Sequence, residues 1–217
     1  MPKLTYKLLT ADDYPDVLKL LKLCYAPNFA LIQCLGNIDE DVNSYFALAK
    51  GFLKQENSFG AFNEDNEIVG VVVNVGPYFA QRSEFESNLK TKAGKAAYAG
   101  FTSAFVGGSI GDVSHILGTD KYWEMKMGTI NPKYKGLGIM QGLGKYTYEL
   151  ARKKGIKKLI AYHTYNHTDE SLKQIRGWHI VKRINLLDYT DAVSGKKIFA
   201  GLKPPHTSEV MMVRDVI

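Results

Sequence analysis

The sequence predicts a protein of mixed α/β order, in which strands and helices alternate along a single domain. Three observations predict it. Segments with a period of two alternate along the chain with segments of helical period, a turn-like segment at 63–66 joins two β-rich runs, and no linker or internal repeat interrupts the 217 residues. The composition, 45% hydrophobic and 23% charged, is that of a globular protein. We therefore expect one domain over residues 1–217.

The first elements are a strand over Leu4–Leu9 and a helix that begins after Thr10-Ala11-Asp12-Asp13. That tetrapeptide has the spacing of a capping box, in which a hydroxyl and a carboxylate satisfy backbone N–H groups. Apolar residues at helical spacing carry the helix to Pro27. A second helix is predicted over Glu40–Gln55, after an acidic start that suits a helix N-terminus.

The middle of the chain predicts an antiparallel hairpin, because Ser58–Phe62 and Glu67–Val75 are β-rich and joined by a turn. A helical stretch near Lys90–Ala104 is followed by glycines and then by a strand over Lys121–Ile130. The alternation of that strand predicts one face with Trp123, Met125, Met127 and Thr129, the other with Tyr122, Glu124, Lys126 and Gly128, and a bulge at Gly128.

The clearest helix follows a glycine-rich loop. Ile139, Leu143, Tyr146 and Leu150 form an apolar stripe that ends at Lys153-Lys154-Gly155. The remaining elements are strands over Lys157–His163, Trp178–Leu187 and Glu209–Val216 and a short helix over His167–Arg176.

Composition and patterning argue against several functional classes. The net charge of +6 comes from lysines and arginines that are spread along the chain, so we expect no nucleic-acid partner. No apolar run reaches the roughly 20 residues of a membrane helix. The N-terminus lacks the apolar region of a secretory signal, which predicts a cytoplasmic protein. His163 and His167 alone make a weak metal pair, so we expect no metal.

The glycine-rich loop Asn131–Met140 carries the strongest chemical signal. Glycines allow close backbone approach, and N–H groups at the following helix N-terminus together with Lys135 favour a pyrophosphate. The loop fits neither the Walker pattern, which needs Gly-Lys-Ser/Thr, nor the dinucleotide pattern, whose third glycine falls on Gln141. Kinase-type and NAD chemistry are therefore unsupported.

The loop resembles the GNAT superfamily of N-acetyltransferases, whose signature is Gln/Arg-x-x-Gly-x-Gly/Ala. Lys135, Gly138 and Met140 occupy its three positions, within Pro132-x-Tyr134-Lys135-Gly136-x-Gly138. Asn166 precedes Gly177-Trp178 as an asparagine precedes the family's Gly-Phe pair. The resemblance implies a single α/β (α+β) domain of GNAT type, with a mixed, mostly antiparallel central sheet flanked by helices, that binds acetyl-CoA. The residues it assigns to that binding are Thr129, Ile130, Lys135, Gly136, Leu137, Gly138, Ile139, Met140 and Asn166.

A narrower resemblance is to the insect arylalkylamine N-acetyltransferases of the dopamine-acetylating type. Glu67–Val71, Asp120–Met125, the loop, and Gly195–Phe199 with Pro205-His206 are similar to that group in content and order. The resemblance implies acetyl transfer to a small arylalkylamine or related biogenic amine, by direct attack in a ternary complex. The resemblance also implies that the partner is a small-molecule amine and that the protein is a monomer or a homodimer.

Acetyl transfer requires a base for the amine, and Glu124 is the first candidate because its strand leads into the loop. The alternative is a surface carboxylate paired with Lys126. Lys173 occupies the position where the superfamily often has a tyrosine that acts as general acid. The alternative is that Lys173 is a solvated lysine on a helix. An N–H near Thr129 would polarise the thioester carbonyl. Aromatic residues that could line an amine pocket include Tyr25, Phe29 and Tyr162.

A second hypothesis keeps the cofactor and changes the chemistry. Ala26, Lys173 and Met140 depart from the patterns of active relatives. The alternative is therefore a CoA-binding protein of this fold that has lost turnover, or that acts on another amine such as a polyamine or an amino acid.

Overall fold

The computed structural model describes residues 2–28, 39–76, 113–163, 177–190, 195–197, 199–204 and 207–217. The helices expected near Lys90–Ala104 and over His167–Arg176 lie outside these ranges. Within them, no helix is both long and apolar enough to cross a membrane.

The described residues form one seven-stranded sheet with helices on both faces. Its strands are β1 Thr5–Leu8, β2 Phe59–Phe62, β3 Ile68–Val75, β4 Tyr122–Ile130, β5 Lys158–His163, β6 Trp178–Asn185 and β7 Ser208–Asp215. The helices are α1 Tyr14–Leu20, α2 Asp39–Leu53, α3 Ser114–Leu117 and α4 Ile139–Lys153. The predicted strands in these ranges are confirmed, with ends that differ by at most two residues.

The strand order is β1-β2-β3-β4-β5-β7-β6. Every neighbouring pair is antiparallel except β4 and β5, which are parallel. The chain crosses from β4 to β5 through α4, as a parallel connection requires. The prediction of a mixed, mostly antiparallel sheet flanked by helices is confirmed, and so is the hairpin of β2 and β3.

Two apolar layers cover the N-terminal half of the sheet. On one face, α1 and α2 pack on β3, with Val17, Phe46 and Phe52 fully buried beside Val71 and Val73. On the other face, α4 packs on β2 and β3. Its buried residues follow a four-residue step: Ile139, Leu143, Thr147 and Ala151.

The predicted stripe of α4 was wrong at one position. Tyr146 is 43% exposed, and the buried position is that of Thr147. Thr147 Oγ1 accepts a hydrogen bond of 3.0 Å from Asn74 Nδ2 of β3, and Asn74 Nδ2 also donates to the Asn57 carbonyl at 2.6 Å. A buried polar group needs such partners, so the third turn of α4 is fastened to β3 by a polar contact that hydrophobic periodicity does not reveal.

Candidate functional site

The sheet opens between β4 and β5. These strands pair at three positions, Tyr122 with Lys158, Trp123 with Leu159 and Glu124 with Ile160. Beyond Glu124, β4 continues beside β3 to Ile130, and β5 continues beside β7 to His163. The described residues form no β4–β5 pairs there, so the facing strand edges keep backbone groups that a ligand can use.

A β-bulge in β4 lies just beyond the last of these pairs. Val73 pairs with Met127 but Asn74 pairs with Met125, which leaves Lys126 as the extra residue of β4. The bulge is therefore at Lys126, not at Gly128 as predicted. Because one extra residue reverses the alternation, Met127 joins the core under α1 and α2 while Met125 packs on the α4 side.

The loop after β4 presents its backbone to solvent. A short turn over Pro132–Tyr134 is capped by Asn131, whose Oδ1 accepts from Lys133 N–H at 3.1 Å. Gly136 and Gly138 have φ values of 84° and 70°, the left-handed region that favours glycine. Gly138 is the N-cap of α4, and no side chain caps the helix among the described residues.

The loop's apolar side chains turn inward and leave that backbone accessible. Ile139 is buried and Leu137 packs beside it, whereas Lys135, Gly136 and Gly138 are exposed. The uncapped N–H groups of α4 and the Lys135 ammonium are the features an anion requires. The loop therefore fits a pyrophosphate.

Met140 stands where the GNAT signature has a small residue, and its environment explains why it fits. A Cβ built on Gly128 would lie 3.5 Å from Met140 Cε and 3.7 Å from Sδ. The methionine therefore lies against the bare backbone of β4, and it packs with the α4-side core rather than over the loop glycines.

An ion pair lies where β4 and β5 separate. Lys126 Nζ is 2.9 Å from Glu124 Oε1, and Glu124 is 7% exposed. The alternative interpretation of Glu124 as a surface carboxylate paired with Lys126 is thus correct about Lys126, but Glu124 is buried rather than on the surface. Desolvated pairs of this kind are costly unless further partners compensate them.

A second carboxylate, which the sequence did not single out, lies near this pair. Glu209 of β7 is 0% exposed, and neither carboxylate oxygen has a hydrogen-bond partner among the described residues. Burial raises the pKa of Glu209 well above its ordinary value; Lys126 lowers that pKa and Glu124 raises it further. Glu209 is the second residue of β7, and nothing in the local sequence marks it as a site residue.

Tyr25 and Tyr162 lie on the same face of the sheet as these carboxylates. The Tyr25 hydroxyl donates to the Lys126 carbonyl at 3.4 Å, and burial raises the pKa of Tyr25. Tyr162 packs with Tyr122 and Met211. His163 follows Tyr162 on β5 and has the opposite side-chain direction; burial lowers the pKa of His163 to about 4.

The remaining predicted site residues divide into two groups. Thr129 and Ile130 lie on β4 beyond its last pair with β5, beside the loop. Phe29, Asn166 and Lys173 lie outside the described residues.

The fold has well-matched counterparts among solved structures. An arylalkylamine N-acetyltransferase 2 from Aedes aegypti matches with a TM-score of 0.80 at 18% identity, over 99% of this chain and 100% of that one. A Drosophila melanogaster polyamine N-acetyltransferase that forms N-acetylagmatine matches with a TM-score of 0.77 at 16% identity, over 98% and 100%. The C-terminal condensation domain of Ebony, in complex with β-alanyl-dopamine, matches with a TM-score of 0.70 at 14% identity, over the whole of both chains.

No protein-family model matches the chain, and no curated protein matches its sequence. The structural likeness shows that the chain has the GNAT fold, as the loop predicted.

Proposed function

We propose that the chain is an acetyl-CoA-dependent N-acetyltransferase that acts on a primary amine. The observation that carries this proposal is the opening between β4 and β5, which lies beside the uncapped N-terminus of α4 in a GNAT fold. The unpaired edges of β4 and β5 are followed by an anion site at the loop. This order suits acetyl-CoA, in which the thioester and the pyrophosphate are at different places along one molecule.

In this proposal, the N–H groups of Ile139 and Met140, the glycines of the loop and Lys135 hold the pyrophosphate. Leu137 and Ile139 anchor the loop in the core. The backbone near Thr129 and Ile130 holds the acyl end, where an N–H group would stabilise the oxyanion that forms on amine attack. The supporting observations are the left-handed glycines and the inward apolar side chains.

Lys135→Ala tests the cofactor site. Loss of one charge-assisted contact to phosphate of about 1.5–3 kcal/mol should raise the KM for acetyl-CoA roughly tenfold or more and leave the KM for the amine unchanged. Lys145→Ala, which removes an exposed lysine of α4, the helix that follows the loop, is the matched control. Equal effects of the two substitutions would argue for a general charge effect and against the site.

Proton removal is the second requirement, because an ammonium is no nucleophile. Glu124 is a candidate base since it lies where the strands diverge. Its Oε1 is already within 2.9 Å of Lys126 Nζ, so a proton accepted there would weaken the ion pair.

For the acceptor we propose a small arylalkylamine or related biogenic amine, which Tyr25 and Tyr162 would contact with their rings. The comparison proteins named for arylalkylamines and for a polyamine favour amines in general. A thiol-release assay with acetyl-CoA against arylalkylamines, polyamines and amino acids tests the proposal. CoA binding without thiol release from any amine would favour a CoA-binding protein that has lost turnover.

A further inference from the structure

The face of the sheet under the β4–β5 opening contains the buried carboxylates of Glu124 and Glu209, with Lys126 beside Glu124. Glu124 is held by Lys126, whereas Glu209 has no hydrogen-bond partner among the described residues. A buried polar side chain without a partner costs about 1–3 kcal/mol, and more when it is charged. A buried group without a partner requires an explanation. A ligand that donates hydrogen bonds to the Glu209 carboxylate is one explanation.

The side chains around Glu209 come from four elements. Glu124 and Lys126 face it from β4, and Tyr25 interacts with it electrostatically from the turn after α1. On β6, its register partner is the apolar Ile184, and Lys182 shares that face. On β5, Tyr162 shares its face because it pairs with Met211, two residues beyond Glu209.

We propose that Glu209, rather than Glu124, binds the ammonium of the acceptor amine and accepts its proton. This inference rests on the proposed acetyl transfer. Glu124 keeps its ion pair with Lys126 and acts as a positioning residue that sets the charge around Glu209.

The step balances as follows. The Glu209 carboxylate takes one proton from R–NH3+ and becomes a carboxylic acid, leaving R–NH2. The nitrogen lone pair forms the C–N bond to the acetyl carbon, and the C–S bond breaks to give a thiolate. The second nitrogen proton passes to the thiolate to give CoA–SH, and Glu209 then releases its proton to solvent.

The environment of Glu209 suits this role. A base works best when its pKa lies near the operating pH, and burial moves the pKa of Glu209 upward in that direction. An entering ammonium would supply the hydrogen-bond donor that the Glu209 carboxylate lacks among the described residues. For Glu124, the lysine already fills that position.

The test is the pH dependence of kcat/KM for wild type and two variants. Wild-type activity should rise through a lower limb well above pH 4.5, the ordinary value for a glutamate, because the base must be ionised. Glu209→Gln should remove that limb and lower kcat about 10²–10⁴-fold. Glu124→Gln should keep the limb and move it to lower pH, because the charge that raises the Glu209 pKa is gone while Lys126 remains.

An independent readout is the melting temperature of the ligand-free protein against pH. A raised pKa in the folded state means that stability falls as pH rises from about 4.5 through the folded value. Glu209→Gln should remove this decline and melt higher than wild type at pH 8. Asp215→Asn, on the same strand, is the control. The hydrogen bond from Lys158 lowers the pKa of Asp215, so the contribution of Asp215 to stability is lost only as pH falls below about 3.8. Asp215→Asn should therefore keep the decline in melting temperature above pH 4.5.

The outcomes are distinct. A limb that survives in Glu209→Gln but disappears in Glu124→Gln would overturn the inference and make Glu124 the base, with acetyl transfer intact. Absence of thiol release from wild type with every amine would overturn the proposed function and the inference together. If Glu209→Gln does not fold, a limb that stays unmoved in Glu124→Gln also overturns the inference.

Discussion

Lys126 acts electrostatically on two buried carboxylates, Glu124 and Glu209, and its replacement would test how strongly they depend on it. Lys126→Met removes the partner of Glu124 and the charge that lowers the Glu209 pKa. Removing one partner of a buried pair costs about 3 kcal/mol. We expect that loss in urea unfolding at pH 8 and a smaller loss at pH 5, where protonation of Glu209 relieves the repulsion.

The same substitution should move the lower limb of the pH–rate profile to higher pH, opposite to the shift expected for Glu124→Gln. Lys121→Met, which removes an exposed lysine immediately before the same strand, is the control and should change neither property. A stability loss that does not depend on pH would contradict the electrostatic coupling of Lys126 to Glu209.

At this scale the sequence predicted one carboxylate and missed the other. Glu124 is the first candidate for the base because its strand runs directly into the glycine loop. Glu209 lies 85 residues further along the chain, and its strand comes near β4 because the strand order is β4-β5-β7. Long-range strand order is not encoded in local periodicity, so nothing in the sequence around Glu209 marked it.

At the scale of elements, two glycines in α4 have opposite environments. A Cβ on Gly142 would lie 2.3 Å from Tyr6 Oη, whereas a Cβ on Gly144 would have nothing within 4 Å. Alanine in place of a helical glycine gains about 0.5–1 kcal/mol. We expect Gly144→Ala to be stabilised by that amount. Gly142→Ala should be less stable than Gly144→Ala by about 1–3 kcal/mol, because overpacking forces the Tyr6 ring to move.

Urea unfolding of both variants measures this difference. Tyr6 stacks on Tyr146 with ring centroids 5.1 Å apart, so its displacement also disturbs the contact between β1 and α4. In a Tyr6→Ala background the obstacle is absent, and Gly142→Ala should then gain as much as Gly144→Ala. Equal effects in the wild-type background would show that the Tyr6 ring moves at no cost.

Elements were predicted better than the details that shape the site. The strand over β4 and the helix over α4 were both found from periodicity. The bulge at Lys126 was misplaced because the glycine at 128 gave the stronger local signal. Thr147 was overlooked because a search for apolar residues at helical spacing excludes threonine. Its buried hydroxyl has a partner, Asn74, that is far away in the sequence.

At the scale of the whole molecule, the described sheet has one parallel pair, β4 and β5, and the sheet opens at this pair. Antiparallel neighbours close the sheet on both sides of β4 and β5, and these two strands part after three pairs. A ligand that fills the opening should therefore link the two halves of the sheet. Its effect on stability should be global, although its contacts are local.

This argument predicts the response to acetyl-CoA even if the acceptor is never identified. At 100 times its Kd, a ligand stabilises the fold by about 2.7 kcal/mol, which raises the Tm of a protein of this size by about 5–10 °C. Hydrogen exchange followed by mass spectrometry should show the largest slowing over residues 125–142 and a smaller slowing elsewhere in the fold, including β1. ADP, which carries only the pyrophosphate end, should protect 135–142, and pantetheine should protect 125–130. Protection that appears first in β1 and β2 would place the ligand elsewhere and contradict the assignment of the opening.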